Sequence, residues 1–170
     1  MSSFNVKWIY VLDENFSFNI KRHLPDDFTS GCSFEDRDGH CWLEILPDGT
    51  ATVFARYAWD GCTPKFSVWD ILFGTPDGTP NSRTKKPKTY YASLMHDALC
   101  QFLDAGSPVT RAHADRIFLE LMTRDNFAPR HLYYAAVRLF GGISRLITRR
   151  VRNYKGRKVA RRSPSIYPAD

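Results

Sequence analysis

The chain has 170 residues, of which 43% are apolar and 14% aromatic. This composition supports a packed core and excludes disordered, collagen-like and low-complexity classes. No apolar run approaches the ~20 residues that a membrane-spanning helix needs, and the N-terminus lacks the basic start and apolar stretch of a signal peptide. We therefore expect a protein made in the cytoplasm, with no transmembrane span and no signal peptide.

The net charge of +6 is unevenly placed along the chain. Residues 141–170 hold nine Lys or Arg against one acid, a net charge of +8, whereas residues 1–140 hold fifteen against seventeen, a net charge of −2. The basic character therefore belongs to a tail on a slightly acidic body. We predict a single α+β domain over residues 1–142 and a basic C-terminal extension over residues 143–170.

The first half of the chain predicts antiparallel strands. Segments 6–12 and 16–21 are rich in aromatic and β-branched residues and indicate a short meander. Segments 41–46 and 50–57 flank the sequence Asp48-Gly49. Because glycine accepts the positive φ of a tight turn, this pattern predicts a hairpin.

A long irregular connection over residues 59–88, rich in Gly and Pro, separates the strands from three predicted helices. The first helix covers residues 89–104 and is stopped by Gly106. The second covers residues 110–123, with Thr110 as its N-cap, and the third opens at Pro129 and closes at Gly141-Gly142. Strands followed by helices indicate an α+β fold.

The cysteines do not indicate a disulfide scaffold or a zinc site. The chain has four widely scattered cysteines: Cys32, Cys41, Cys62 and Cys100. Because no C-x-x-C pair occurs, we expect them to be reduced thiols. Asp36, Asp38 and His40 offer a possible metal site, but their spacing matches no zinc template. A polar loop is the favoured interpretation of this stretch.

His96 and Asp115 are polar residues on the apolar faces of the first two predicted helices. Because burying either group alone is unfavourable, we expect a His96–Asp115 hydrogen bond. A histidine oriented in this way acts as a general base in many enzymes, and Asp97 beside it could hold a hard cation through its carboxylate. The alternative is a structural pair in the core, with Asp97 solvated.

The tail combines apolar residues at near-helical spacing with basic ones. Such a segment can lie on an anionic membrane, run along a nucleic acid or dock on its own domain. Beyond Tyr154 we expect the chain to be unstructured when free. The predicted anion-binding residues are Arg145, Arg149, Arg150, Arg152, Lys155, Arg157, Lys158, Arg161 and Arg162.

The sequence His96-Asp97-Ala98-Leu99-Cys100, followed by His113-Ala114-Asp115-Arg116-Ile117-Phe118, resembles the two-helix core of phospholipase A2, and especially the disulfide-free form in parvoviral capsid proteins. The resemblance covers about residues 90–122. It implies that His96 activates water, that Asp115 orients His96, and that Asp97 binds calcium together with backbone carbonyls of a glycine loop, for which Gly74 and Gly78 are the candidates. Cys100 stands where the family has a tyrosine, and no typical calcium loop precedes the first helix.

A second resemblance, carried by 59–66, the His96-Asp97 helix, 114–118 and 136–141, is to an uncharacterised family of tailed phages and prophages (domain of unknown function 1353). It implies a phage-related protein that is present in the host cytoplasm when it is synthesised. Association of the protein with the virion is a further location that this resemblance allows. Two interpretations stay open. One is an accessory protein whose His-Asp pair is structural and whose tail contacts other phage proteins, nucleic acid or phospholipid; the other is a calcium-dependent phospholipase.

Overall fold

The computed structural model describes residues 10–36, 38–59, 61, 80–139 and 161–164, the last range by its backbone alone. Its strands are β1 (Tyr10–Val11), β2 (Phe16–Asn19), β3 (Cys32–Glu35), β4 (Cys41–Ile45), β5 (Thr50–Val53), β6 (Ala58–Trp59) and β7 (Arg161–Pro164). Its α-helices are α1 (Tyr90–Gln101), α2 (Arg111–Arg124) and α3 (residues 130–139). The predicted α+β class, with antiparallel strands before three helices, is confirmed.

The predicted hairpin joins β4 and β5. Asp48 stabilises its turn, because the carboxylate accepts hydrogen bonds from the backbone N–H of Thr50 at 2.7 Å and from the Thr50 hydroxyl at 3.0 Å. Gly49 supplies the positive φ, +87°. β2 pairs with the free edge of β5, β3 pairs with the free edge of β4, and β7 pairs with β3. The main sheet therefore has the order β2-β5-β4-β3-β7 and is antiparallel throughout.

Gly49 is also a close-packing position, because a Cβ added there would lie 2.5 Å from Cα of Lys21. We expect Gly49→Ala to lower the free energy of unfolding by about 2–5 kcal/mol, since left-handed backbone disfavours a Cβ by about 1–2 kcal/mol and overpacking adds about 1–3 kcal/mol. Gly39→Ala is the matched control: Gly39 has φ +82° but nothing within 4 Å of its Cβ position. Urea unfolding measures both. Equal losses in the two variants would contradict the predicted clash.

The predicted pairing of the first two strands is wrong. β1 pairs with β6, with Tyr10 opposite Trp59, rather than with β2. The physical reason is aromatic packing, since the Tyr10 ring lies 5.4 Å from Trp59 and 5.3 Å from Tyr90. Residues 6–9 of the predicted strand lie outside the described residues.

β3 was not predicted from the sequence. Its residues alternate between apolar and polar types, but the run is only four residues long. The burial does not alternate, because Cys32, Ser33 and Phe34 are all buried. Its outer edge pairs antiparallel with β7. The expectation that the chain beyond Tyr154 is unstructured is therefore wrong for Arg161–Pro164, because these residues satisfy backbone groups of an otherwise open sheet edge.

The helix boundaries follow the sequence signals closely. A 3-10 turn, Leu103–Ala105, follows α1 and ends at Gly106, which has φ +81°. The hydroxyl of Thr110 accepts a hydrogen bond from the backbone N–H of His113 at 3.2 Å and so caps α2 as predicted. The predicted end of α3 and the predicted domain boundary at residue 142 lie outside the described residues. None of the helices in the described part has the length and apolar character needed to cross a bilayer.

The core lies between the sheet and the helix pair. α1 contacts α2 on one side and β4 and β5 on another. Leu94, Met95 and Leu99 of α1 are fully buried. At the end of α1, Phe102 stacks on Phe34 of β3 with ring centroids 5.2 Å apart. α1 is thus held on two sides, which fixes the position of any polar side chain that it carries.

Candidate functional site

The helix pair brings His96 of α1 and Asp115 of α2 into contact. Nε2 of His96 lies 2.9 Å from Oδ1 of Asp115, so the predicted hydrogen bond is present. The two residues are 19 positions apart in the chain. The contact follows from the packing of α1 against α2, because each residue is on the buried face of its helix.

The pair is shielded from water. The His96 side chain is 9% exposed and the Asp115 side chain 3%. Phe118 packs against the imidazole with ring centroids 5.1 Å apart. Because the pair is buried, the hydrogen bond is stronger than it would be in water, and losing one partner would leave the other unsatisfied.

Two arginines also approach Asp115. Nε of Arg111, one helical turn earlier in α2, donates to Oδ1 at 3.0 Å. Nη1 of Arg138 in α3 lies 3.8 Å from Oδ2. Burial acts to raise the pKa of the Asp115 carboxyl, but His96 and Arg111 outweigh it and the pKa is lowered. Asp115 is therefore a carboxylate at neutral pH.

On its other sides His96 faces Asp97 and Cys100. Nδ1 lies 3.6 Å from Oδ1 of Asp97, whose side chain is 38% exposed. Sγ of Cys100 lies 3.6 Å from Nε2. Burial acts to lower the pKa of His96, but the charge of Cys100 and hydrogen bonds to Asp115, Asp97 and Cys100 raise it well above 6.5. The resting ring therefore favours the imidazolium form.

Tyr57, which directly precedes β6, reaches the same region. Its hydroxyl donates to Oε1 of Gln101 at 2.7 Å. Burial raises the pKa of the Tyr57 phenol well above 10, and the charges of Asp97 and Cys100 add to that effect. Tyr57 is therefore a neutral hydrogen-bond donor close to these two side chains.

Other predicted site residues cannot be placed beside the pair. Gly74 and Gly78, the candidate calcium-loop glycines, lie outside the described residues. The same holds for the tail residues Arg145, Arg149, Arg150, Arg152, Lys155, Arg157 and Lys158. Arg161 and Arg162 are described only as backbone of β7. The geometry of the site therefore rests on the helices and on Tyr57.

Arg111, Arg138 and Tyr57 were not predicted from the sequence as part of this site. Arg111 has a detectable signal, because it precedes Asp115 by four residues on one helix face. Arg138 and Tyr57 come from a later helix and from the strand region. The position of these two side chains near the His96–Asp115 pair depends on how α3 and the strand region pack on the other helices. No local sequence pattern predicts that packing.

The chain resembles a family of unknown function. A protein-family model described as "Protein of unknown function (DUF1353)" matches residues 82–137. The matched segment contains α1, α2, most of α3 and both members of the His96–Asp115 pair. No curated protein and no solved structure matches the chain. The resemblance to the unknown-function family therefore includes the candidate site but assigns no activity to it.

Asp36, Asp38 and His40 form a second cluster, with potential ligand atoms within 4.8 Å of one another. The Asp36 carboxylate accepts hydrogen bonds from the backbone N–H groups of Asp38 and His40 and from Nε1 of Trp42. Burial acts to raise the pKa of Asp36, but these hydrogen bonds outweigh it and the pKa is lowered. The cluster is explained by its role in folding the turn between β3 and β4.

Two further histidines lie close together, His23 in a 3-10 turn after β2 and His113 in the first turn of α2. His23 contacts Oε2 of Glu120 at 3.1 Å, and Arg22 pairs with the same carboxylate. The His113 ring lies 6.1 Å from that of His23, and within the described structure its buried Nδ1 has no hydrogen-bond partner. Burial, with the nearby charges of His23 and Arg116, lowers the pKa of His113.

This lowered pKa predicts a loss of stability in acid. Because the unfolded chain takes up the proton first, near pH 6.5, His113 stabilises the fold above that pH, and this contribution is lost as the pH falls through the folded-state pKa. We expect His113→Gln to show a smaller loss of stability between pH 7 and pH 5 than wild type. Urea unfolding at both pH values measures it, with exposed His131→Gln as control. An unchanged pH dependence in His113→Gln would contradict the assignment.

Proposed function

We propose that the His96–Asp115 pair is the centre of a hydrolase that acts on an ester bond of membrane phospholipid. The observation that carries the proposal is the 2.9 Å hydrogen bond between Nε2 of His96 and Oδ1 of Asp115. A carboxylate in this position fixes the tautomer and orientation of the ring and raises its basicity. The resemblance of the helix pair to phospholipase A2 supports the same chemistry.

In the proposed reaction the neutral ring carries its proton on Nε2, where it is donated to Asp115, and Nδ1 is the base. Nδ1 takes a proton from water while the water oxygen bonds to the ester carbonyl carbon. The imidazolium then returns the proton to the departing alkoxide as the carbon–oxygen bond breaks, which leaves a carboxylic acid and an alcohol. Asp115 stabilises the imidazolium between these two steps.

The raised pKa of His96 has a consequence for the proposed reaction. Only the neutral ring accepts a proton, and the resting site favours the imidazolium. The rate is therefore expected to increase as the pH rises above neutrality, up to the pKa of His96.

Calcium is proposed as the cation of the site. Asp97 fits the role of a ligand, because its carboxylate is partly exposed next to His96, and among the described residues it has no ion pair with Lys or Arg. Asp97 is the one described residue assigned to calcium, and the candidate partners Gly74 and Gly78 lie outside the described part. When bound, the ion would stabilise negative charge on the ester oxygen.

A second candidate function is a phage-related accessory or virion-associated role in which the pair is structural. One observation favours it: Asp115 is surrounded by His96, Arg111 and Arg138, an arrangement that fits a buried ion-pair network. In this case the basic tail would bind the partner, either another phage protein, nucleic acid or phospholipid. Nucleic-acid binding would weaken steeply with salt.

The two functions are separated by fatty-acid release from vesicles of mixed anionic and zwitterionic phospholipid, with calcium or with chelator. We expect calcium-dependent release by wild type, and a loss of about 100-fold or more in His96→Gln. His131→Gln replaces an exposed histidine of α3 and should retain full activity. No release by folded wild type at pH 7–9 would refute the hydrolase and leave the accessory role. Release that is unchanged by chelator would refute the calcium assignment alone.

A further inference from the structure

Two arginines beside the His96–Asp115 pair have hydrogen-bond donors left over. Arg111 contributes Nε to Asp115, and its side chain is 34% exposed. Nη1 of Arg138 lies 3.8 Å from Asp115, close enough for an ion pair but too far for a hydrogen bond, and the side chain is 49% exposed. Across the described residues, the other guanidinium N–H groups of both arginines have no protein acceptor.

Asp115 accepts no hydrogen bond from these remaining donors. Its Oδ1 already accepts hydrogen bonds from His96 and Arg111. Its Oδ2 lies 3.8 Å from Nη1 of Arg138, which is an ion-pair distance but too long for a hydrogen bond. Arg138 is therefore a cation held near the pair, with its N–H donors not engaged in hydrogen bonds to the buried carboxylate.

The two guanidinium groups come from different elements, the start of α2 and the last described turn of α3. Each is planar and presents several N–H donors in a fork that matches two oxygens of a phosphate or carboxylate. A tetrahedral phosphate has enough oxygens to bridge both groups, whereas a single carboxylate has two. Their shared position beside Asp115 places such an anion next to His96.

We propose that Arg111 and Arg138 form an oxyanion-binding subsite for a phosphate group of the compound on which the site acts. The proposal rests on the proposed function for the presence of a substrate beside His96, but its test measures binding rather than turnover. It makes the body of the protein, and not only its basic tail, a determinant of specificity for phosphate-bearing compounds.

The test is an NMR titration of the full chain at constant pH, which follows the ring signals of His96 as inorganic phosphate or glycerol 3-phosphate is added. The variants are Arg138→Gln, Arg138→Lys and, as a control of equal charge change, Arg116→Gln, whose side chain is exposed on α2. The tail is the same in all of them. We expect a saturable shift in wild type and Arg116→Gln, binding about tenfold weaker in Arg138→Gln, and intermediate binding in Arg138→Lys.

Two results would overturn the subsite: no saturable shift of the His96 signals in wild type, or equal affinity in wild type and Arg138→Gln. A short-chain phospholipid, added as monomers, distinguishes a lipid headgroup from free phosphate by tighter binding than inorganic phosphate. Phosphate binding without ester hydrolysis would refute the proposed function and keep the subsite. Ester hydrolysis without a phosphate-dependent shift of the His96 signals would refute the subsite and keep the proposed function.

Discussion

Asp115→Ala is expected to lower the free energy of unfolding by about 3–5 kcal/mol, among the largest effects of any single substitution in the helix region. The variant leaves the His96 imidazolium buried without its partner at 2.9 Å, and removing one member of a buried ion pair has this magnitude. Arg111 and Arg138 are partly exposed and can be solvated, so His96 accounts for most of the loss. Urea unfolding followed by circular dichroism measures it.

Asp97→Ala is the matched control, because Asp97 faces the same ring but its side chain is 38% exposed. We expect a loss within about 1 kcal/mol, as for other exposed ion pairs. The double substitution His96→Leu with Asp115→Leu should recover much of the stability, since it removes both polar groups together. Equal losses in Asp97→Ala and Asp115→Ala would contradict the assigned burial of the pair.

The stability difference between wild type and Asp115→Ala should also depend on pH. The lowered pKa of Asp115 gives a contribution that is present above about pH 3.8 and lost as the pH falls through the folded-state pKa. The raised pKa of His96 gives a contribution that is complete below pH 6.5 and lost as the pH rises through the folded-state pKa. The difference is thus largest between these limits and declines towards alkaline pH.

Phe34→Ala is expected to lower the free energy of unfolding by about 3–5 kcal/mol. Phe34 is fully buried in β3 and stacks on Phe102 at the end of α1, so truncation opens a cavity between the sheet and the helices. Phe18→Ala, in the edge strand β2, provides a partly buried control with a smaller expected loss.

A double-mutant cycle tests the specific contact between Phe34 and Phe102. With leucine at either or both positions, we expect a coupling of about 0.5–1.5 kcal/mol. Additive losses would show that each ring is simply buried, without a specific stacking contribution. The measured coupling energy thereby shows whether a specific contact with the sheet stabilises the position of the end of α1, the helix that carries His96.

Structural features that depend on residues close together in the chain could be predicted from the sequence. Asp48-Gly49 specified the hairpin, Thr110 the start of α2, and Gly106 the end of the turn after α1. The His96–Asp115 contact was also predictable, because two polar residues on apolar helix faces separated by a short loop have few other partners. These features follow from local backbone preferences and from the period of the helix.

Only the tertiary structure decided the features that depend on distant packing. β3 is a four-residue strand whose burial does not follow its alternating sequence, and β1 pairs with β6 through an aromatic cluster formed across the chain. Arg138 reaches Asp115 from α3, and Tyr57 reaches Gln101 from the strand region. The sequence by itself determined which residues carry the candidate chemistry and on which helix faces they lie. Their surroundings, and hence their pKa values, required the packed fold, because burial and charge act through space rather than along the chain.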